Sequence, residues 1–168
     1  HFASGVTCSD CHMPYIREGA MKVSDHWVRS PLLNVNNACQ TCHPWDEAEL
    51  TARVHTIQDR TYELRNLALD ASLALARAIG AAAEADAANP RLETARRHHR
   101  RAQFLTDFVE AENSMGFHAD QEAARVLGLA LNEARLGHIA LFGDLVPTPV
   151  RPLPAPPQTV TPTASAAL

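Results

Sequence analysis

All four cysteines of the chain fall into two copies of one pattern, Cys8-Ser9-Asp10-Cys11-His12 and Cys39-Gln40-Thr41-Cys42-His43. Two thiols separated by two residues and followed at once by an imidazole are suited to covalent porphyrin attachment. Each thiol adds across one vinyl group, the gap matches the separation of the vinyls, and the histidine lies under the iron as its proximal ligand. The spacing predicts two c-type haems, one held by Cys8, Cys11 and His12 and the other by Cys39, Cys42 and His43.

Two other uses of paired cysteines compete with this. A structural zinc site also takes Cys-x-x-Cys pairs, but 27 residues lie between Cys11 and Cys39, more than the usual spacing of about 15 to 20, and zinc would need neither His12 nor His43. A thioredoxin-like dithiol requires βαβ surroundings, and no strand-like alternation is read beside either motif. Haem uses all six residues.

A six-coordinate iron needs a second axial ligand, so the seven remaining histidines were weighed one by one. His55 is expected on a helix surface or between helices. His98 and His99 lie in the basic run Arg96-Arg97-His98-His99-Arg100-Arg101, which suits solvent or haem propionates. His138, near a helix end, is expected to favour the dipole there. His1, His26 and His118 stay open as axial ligands, with Met13, Met21 and Met115 as rivals that would raise the reduction potential.

These groups must be positioned by the rest of the chain, which divides into three parts. Residues 1 to about 45 carry both motifs, are punctuated by Gly5, Pro14, Gly19 and Pro31, and read as a loop-rich dihaem segment with short helical turns. Residues 46–145 read as three long helices. Asp46 is an N-cap with Glu49 three residues on, and Leu50, Val54, Ile57, Thr61, Leu64, Ala68, Ala71, Leu75, Ala78 and Ala82 form a seam at steps of four and three. A helix from about 46 to 86 is roughly 60 Å long and wants a partner along its length. Asn89-Pro90 starts a second helix expected to run to about Ser114 and stop at Gly116. A third, from Asp120 to Gly143, has Leu127, Ala130, Ala134, Gly137 and Leu141 on one stripe. Residues 146–168 hold seven of the 11 prolines and read as a disordered tail. The fold class expected is therefore mainly α, a multihaem cytochrome c.

With 168 residues, the chain is long enough for one domain with a core. Its 15 basic and 19 acidic side chains leave a net charge of −4, and nothing points to a nucleic-acid partner. No run of 18 apolar residues is present, so no membrane span is expected. The chain starts at His1 without a signal peptide, although bacterial haem attachment takes place outside the cytoplasmic membrane; a processed or truncated, periplasmic chain is expected.

The combination Gly5-Val6-Thr7-Cys8-Ser9-Asp10-Cys11-His12-Met13-Pro14, Asp25-His26, Ala38-Cys39-Gln40-Thr41-Cys42-His43 and Asn113-Ser114-Met115-Gly116-Phe117-His118 closely resembles the C-terminal part of the pentahaem, ammonia-forming cytochrome c nitrite reductases, the cytochrome c-552 family. The likeness runs from His1 to about Leu145, with the two motifs matching the fourth and fifth haems. The resemblance implies His118 as distal ligand of the Cys8/Cys11 haem and His1 as that of the Cys39/Cys42 haem. His26 matches the histidine serving a second haem attached upstream. It also implies a homodimer through the long helices, and an electron donor that is either a membrane-anchored quinol-oxidising cytochrome or a soluble multihaem cytochrome. The family's catalytic haem sits on Cys-x-x-Cys-Lys, and no such motif occurs here, nor do the upstream residues that surround nitrite or bind calcium. The chain thus offers no catalytic residue, and calcium is expected only in the full-length enzyme. The alternatives are a self-standing dihaem electron carrier and a segment of a related octahaem enzyme converting nitrite or hydroxylamine.

Overall fold

In the computed structural model, which describes residues 1–143, a short helix α1 (Cys8–His12) is followed by a hairpin of β1 (Tyr15–Glu18) and β2 (Met21–Ser24), then a one-turn helix α2 (Val35–Ala38). Three long helices complete the described residues: α3 (Glu47–Ala85), α4 (Arg91–Glu110) and α5 (Asp120–Phe142). The fold is mainly α, as expected, and the proposed tail 146–168 lies outside the described residues.

The hairpin is a correction, because the 1–45 segment was read without strands. Tyr15 pairs with Ser24 and Glu18 with Met21, leaving Gly19-Ala20 as a two-residue loop. Gly19 takes φ +60° there, as the first position of a type II′ turn requires. The strands are four residues each and mostly solvent-facing, so they carry little of the alternation that betrays a strand. The hairpin base is tied to the end of α1 by the Asp25 N–H donating to the Pro14 carbonyl at 2.9 Å and Ser24 Oγ donating to the Met13 carbonyl at 3.1 Å.

Asp46 caps α3 as read, its Oδ1 accepting from the Glu49 N–H at 2.7 Å, with Glu47 and Glu49 opposing the positive end of the dipole. The helix ends where Asp86 turns extended, and Pro90 forbids its continuation. Asn89 Oδ1 then accepts from the Arg91 N–H at 3.0 Å to open α4. That helix stops at Glu110, earlier than the expected Ser114, because residues 112–118 fold into a side-chain-bonded turn described below. Gly143, at φ +85°, closes α5 with a left-handed cap.

The seam on α3 meets its partner within the same chain. Thr61, Ala68, Ala71 and Leu75 are buried, and α4 and α5 cover this stretch. Its centre is built of alanines: Ala71, Ala102 and Ala134 stand together, flanked by a Val109–Val126–Leu127 cluster on one side and a Leu75–Leu92–Leu141 cluster on the other. Small residues let the helix axes approach closely. Towards the start of the seam, Leu50, Val54 and Ile57 stay half-buried. Outside the bundle, Tyr62 and Leu73 remain about half exposed on α3, and Phe104 and Phe108 more so on α4.

Leu127 is fully enclosed. Leu127→Ala is expected to lower unfolding stability by about 2–5 kcal/mol, since the rigid helices around it close the cavity only in part. Denaturant unfolding of the haem-loaded protein measures this, and a loss under ~1 kcal/mol would show a bundle that collapses freely.

Two histidine expectations change. His98 turns to α5: its Nδ1 meets Glu133 at 2.7 Å, and Arg101 reaches the same carboxylate at 3.2 Å. His138 is 8% exposed, its Nδ1 has no partner, and burial pushes its pKa down, so it stays neutral instead of serving the dipole. No described helix is long and apolar enough to cross a membrane.

Candidate functional site

In α1 the residues Cys8, Cys11 and His12 occupy positions i, i+3 and i+4, which a helix brings to one face. The second motif follows α2 as a further turn in which the Cys42 N–H donates to the Cys39 carbonyl at 3.1 Å and the His43 N–H does so at 3.0 Å. Thr7 anchors the start of α1, its N–H and its Oγ1 both donating to Asp10 Oδ2 at 2.7 Å. Val35 of α2 is 2% exposed, so the second motif leaves a fixed point.

All four thiols are free, and none is fully buried. Burial pushes the Cys11 thiol up, and the charges of Asp10, Cys42 and Cys8 add to it; burial and then Cys11 do the same to Cys39. The two motifs therefore lie close enough to sense each other.

Each motif histidine faces a histidine from a distant part of the chain. The rings of His12 and His118 are 6.1 Å apart between centroids at an interplanar angle of 71°. Those of His1 and His43 are 5.9 Å apart at 68°. Metal–nitrogen bonds of ~2 Å on both sides of one ion, plus about 1 Å from each nitrogen to its ring centre, put two imidazoles roughly 6 Å apart. Both pairs thus have the spacing of axial ligands across an iron, and the free cysteines beside His12 and His43 supply the attachment. The residues present fit haem c. Among the described residues no group of three His, Cys, Asp or Glu converges as a bare metal ion would require.

The histidines are oriented by what their other nitrogens meet. His12 Nδ1 lies 2.9 Å from the Arg29 carbonyl oxygen, a contact that leaves Nε2 available as a ligand. His118 Nδ1 lies 2.8 Å from Glu112 Oε1. Glu112 in turn accepts from the Ser114 N–H at 2.9 Å, Ser114 Oγ at 2.6 Å and the Gly116 N–H at 3.2 Å. Burial pushes the Glu112 carboxyl up, but those bonds from Ser114 and Gly116, with the charge of His118, outweigh it and hold it below the usual range. His43 is stacked by Trp45, with centroids 5.3 Å apart.

The turn carrying His118 rests on α3. Met115 and Gly116 take φ +54° and +84°, Gly116 is packed against Thr61, and Gln58 Nε2 donates to the Ser114 carbonyl at 3.0 Å. His26 stands apart: its Nδ1 is 2.9 Å from the Ser24 carbonyl oxygen and its ring is exposed. Of the rival methionines, Met21 and Met115 are exposed and Met13 half-buried. Glu112, Trp45 and the Arg29 carbonyl were missed in the sequence reading. Only Glu112 left a signal, an acidic residue six positions before a candidate ligand at a helix end.

The family model described as Cytochrome c552 matches residues 1–167. Proteins named cytochrome c-552 are similar to the chain: that of Maridesulfovibrio salexigens is 39% identical over 84% of this chain and 28% of its own length, and that of Porphyromonas gingivalis 36% over 89% and 32%. A solved structure, the catalytic subunit of the cytochrome c nitrite reductase of Desulfovibrio desulfuricans ATCC 27774, superposes with a TM-score of 0.77 and 32% identity, covering 86% of this chain and 32% of that one. The chain spans about a third of the length of these relatives.

Proposed function

Because the chain belongs to the cytochrome c552 family, we propose that it is the C-terminal portion of a periplasmic, ammonia-forming cytochrome c nitrite reductase. In this role it holds two electron-relay haems and contributes to a homodimer contact. The observation that carries the reading is the double pairing of His12 with His118 and His43 with His1, each at about 6 Å beside its own Cys-x-x-Cys. Haem c, when bound, supplies a one-electron carrier at each pair.

Cys8, Cys11, Cys39 and Cys42 form the thioethers, and His12 and His43 are the proximal ligands. His118 and His1 would supply the second ligand to each haem, so that neither iron would offer an open position to substrate. This suits passage of electrons toward a lysine-ligated haem elsewhere in the enzyme, where nitrite takes six electrons and becomes ammonium. His26, with its Nδ1 engaged by the Ser24 carbonyl, is free to present Nε2 to a haem attached outside this chain. Calcium belongs to that remaining part. The outer faces of α3 and α4, with Tyr62, Leu73, Phe104 and Phe108, are the surface for the second copy. A quinol-oxidising or soluble multihaem cytochrome is the donor.

Expression with a haem-maturation system followed by mass spectrometry is expected to give a chain bearing two haems. With a dithionite-reduced dye as donor, that product should release no ammonium from nitrite above a free-haem control. A mass lacking either addition, or ammonium formation by the chain alone, would overturn the reading.

A further inference from the structure

The two histidine pairs differ in what stands behind them. Both rings of the first pair have an acceptor at Nδ1, the neutral Arg29 carbonyl for His12 and the Glu112 carboxylate for His118. Among the described residues no hydrogen bond reaches a ring nitrogen of His1 or His43, and the neighbour of His43 is the indole of Trp45. The His118 ring is held at Nδ1 by the 2.8 Å contact to Glu112. Glu112 itself is aimed by the donors of Ser114 and Gly116, and its turn is locked to α3 through Gly116 against Thr61.

We propose that Glu112 is a positioning residue that fixes the His118 imidazole and holds the haem between His12 and His118 at a lower reduction potential than the haem between His1 and His43. A carboxylate accepting the ligand's N–H makes the imidazole a stronger donor to iron, which favours the ferric state. A neutral acceptor does this weakly, and an unbonded ring does not. The order of the two potentials is thereby written into the turn between α4 and α5. The proposal rests on the reading of His118 as a distal ligand.

The test is a redox titration of the haem-loaded protein, followed by visible absorption and by electron paramagnetic resonance, for wild type, Glu112→Gln and His118→Ala. Glu112→Gln keeps the size of the side chain and removes its charge. One haem is expected to shift toward the reduced state by about tenfold in its equilibrium constant, ~59 mV for one electron, while both haems stay low-spin and the other does not move. His118→Ala should turn that same haem high-spin. If His118→Ala leaves both haems low-spin, the ligand reading falls and the proposal with it. If it gives one high-spin haem but Glu112→Gln moves neither potential, or moves both equally, the proposal alone is overturned. Should the glutamine variant lose its low-spin signal, Glu112→Asp takes its place: it keeps the charge but draws it back from His118 Nδ1 and is expected to raise the potential of that haem alone, so no change, or an equal shift of both haems, would overturn the proposal.

Discussion

His118→Ala is expected to convert one of the two six-coordinate haems into a five-coordinate, high-spin centre that binds cyanide, while the other stays low-spin. The ring of His118 stands 6.1 Å from that of His12, and no further histidine ring contacts His12 among the described residues. The methionines offer no ready replacement, since Met13 follows His12 directly in sequence and Met115 is exposed at a left-handed position of the turn. His26→Ala is the contrasting variant. Its ring is exposed and bonded at Nδ1 to the Ser24 carbonyl, with no partner ring, so the spectra of the two resident haems should not change. Absorption and electron paramagnetic resonance with and without cyanide read both outcomes. A high-spin signal in His26→Ala, with none in His118→Ala, would give the distal position to His26.

Gly116→Ala should unfold the same site from behind. At φ +84° an alanine is strained by about 1–3 kcal/mol, and its Cβ would run into the side chain of Thr61, a buried residue of α3. Overpacking of this kind adds roughly 1–3 kcal/mol, a large share of a domain's total stability of about 5–15 kcal/mol. The turn that bears Glu112 and His118 sits on α3 through Gly116 against Thr61 and the Gln58 bond to Ser114. A lower melting temperature is therefore expected together with partial high-spin character. Gly80→Ala is the control: a Cβ there meets open space on an exposed helical position, and the change should stabilise by up to ~1 kcal/mol. Equal melting temperatures for Gly116→Ala and wild type would mean that the turn is not anchored at Thr61.

The long helices could be read because their signals are local. Asp46 and Asn89 are short polar side chains that bond the next free N–H, Pro90 cannot extend a helix, and the alternating steps from Leu50 to Ala82 follow from the helical repeat. The β1–β2 hairpin was invisible for the opposite reason. It is short and solvent-facing, so burial never imposed a pattern on its residues. The end of α4 was misjudged because Glu112 binds Ser114 and Gly116 as a side-chain scaffold, an alternative to helix that propensity does not register.

The reading of Cys8, Cys11, His12, Cys39, Cys42 and His43 as haem-attachment residues comes from sequence alone, since thioether attachment and proximal ligation would need only residues within one helical turn. Which far imidazole faces each of them is not a local property. His118 lies more than a hundred residues from His12, and it arrives there because the seam of α3 packs against α4 and α5 and sets the Gly116 turn over Thr61. The same packing covers the seam from Thr61 to Leu75 within one chain, since a periodic apolar stripe specifies that it must be covered but not by which helix. His98, His138 and Glu112 acquired their partners, or lost them, only when those helices closed, because burial and hydrogen bonding to another element are quantities that no stretch of sequence contains by itself.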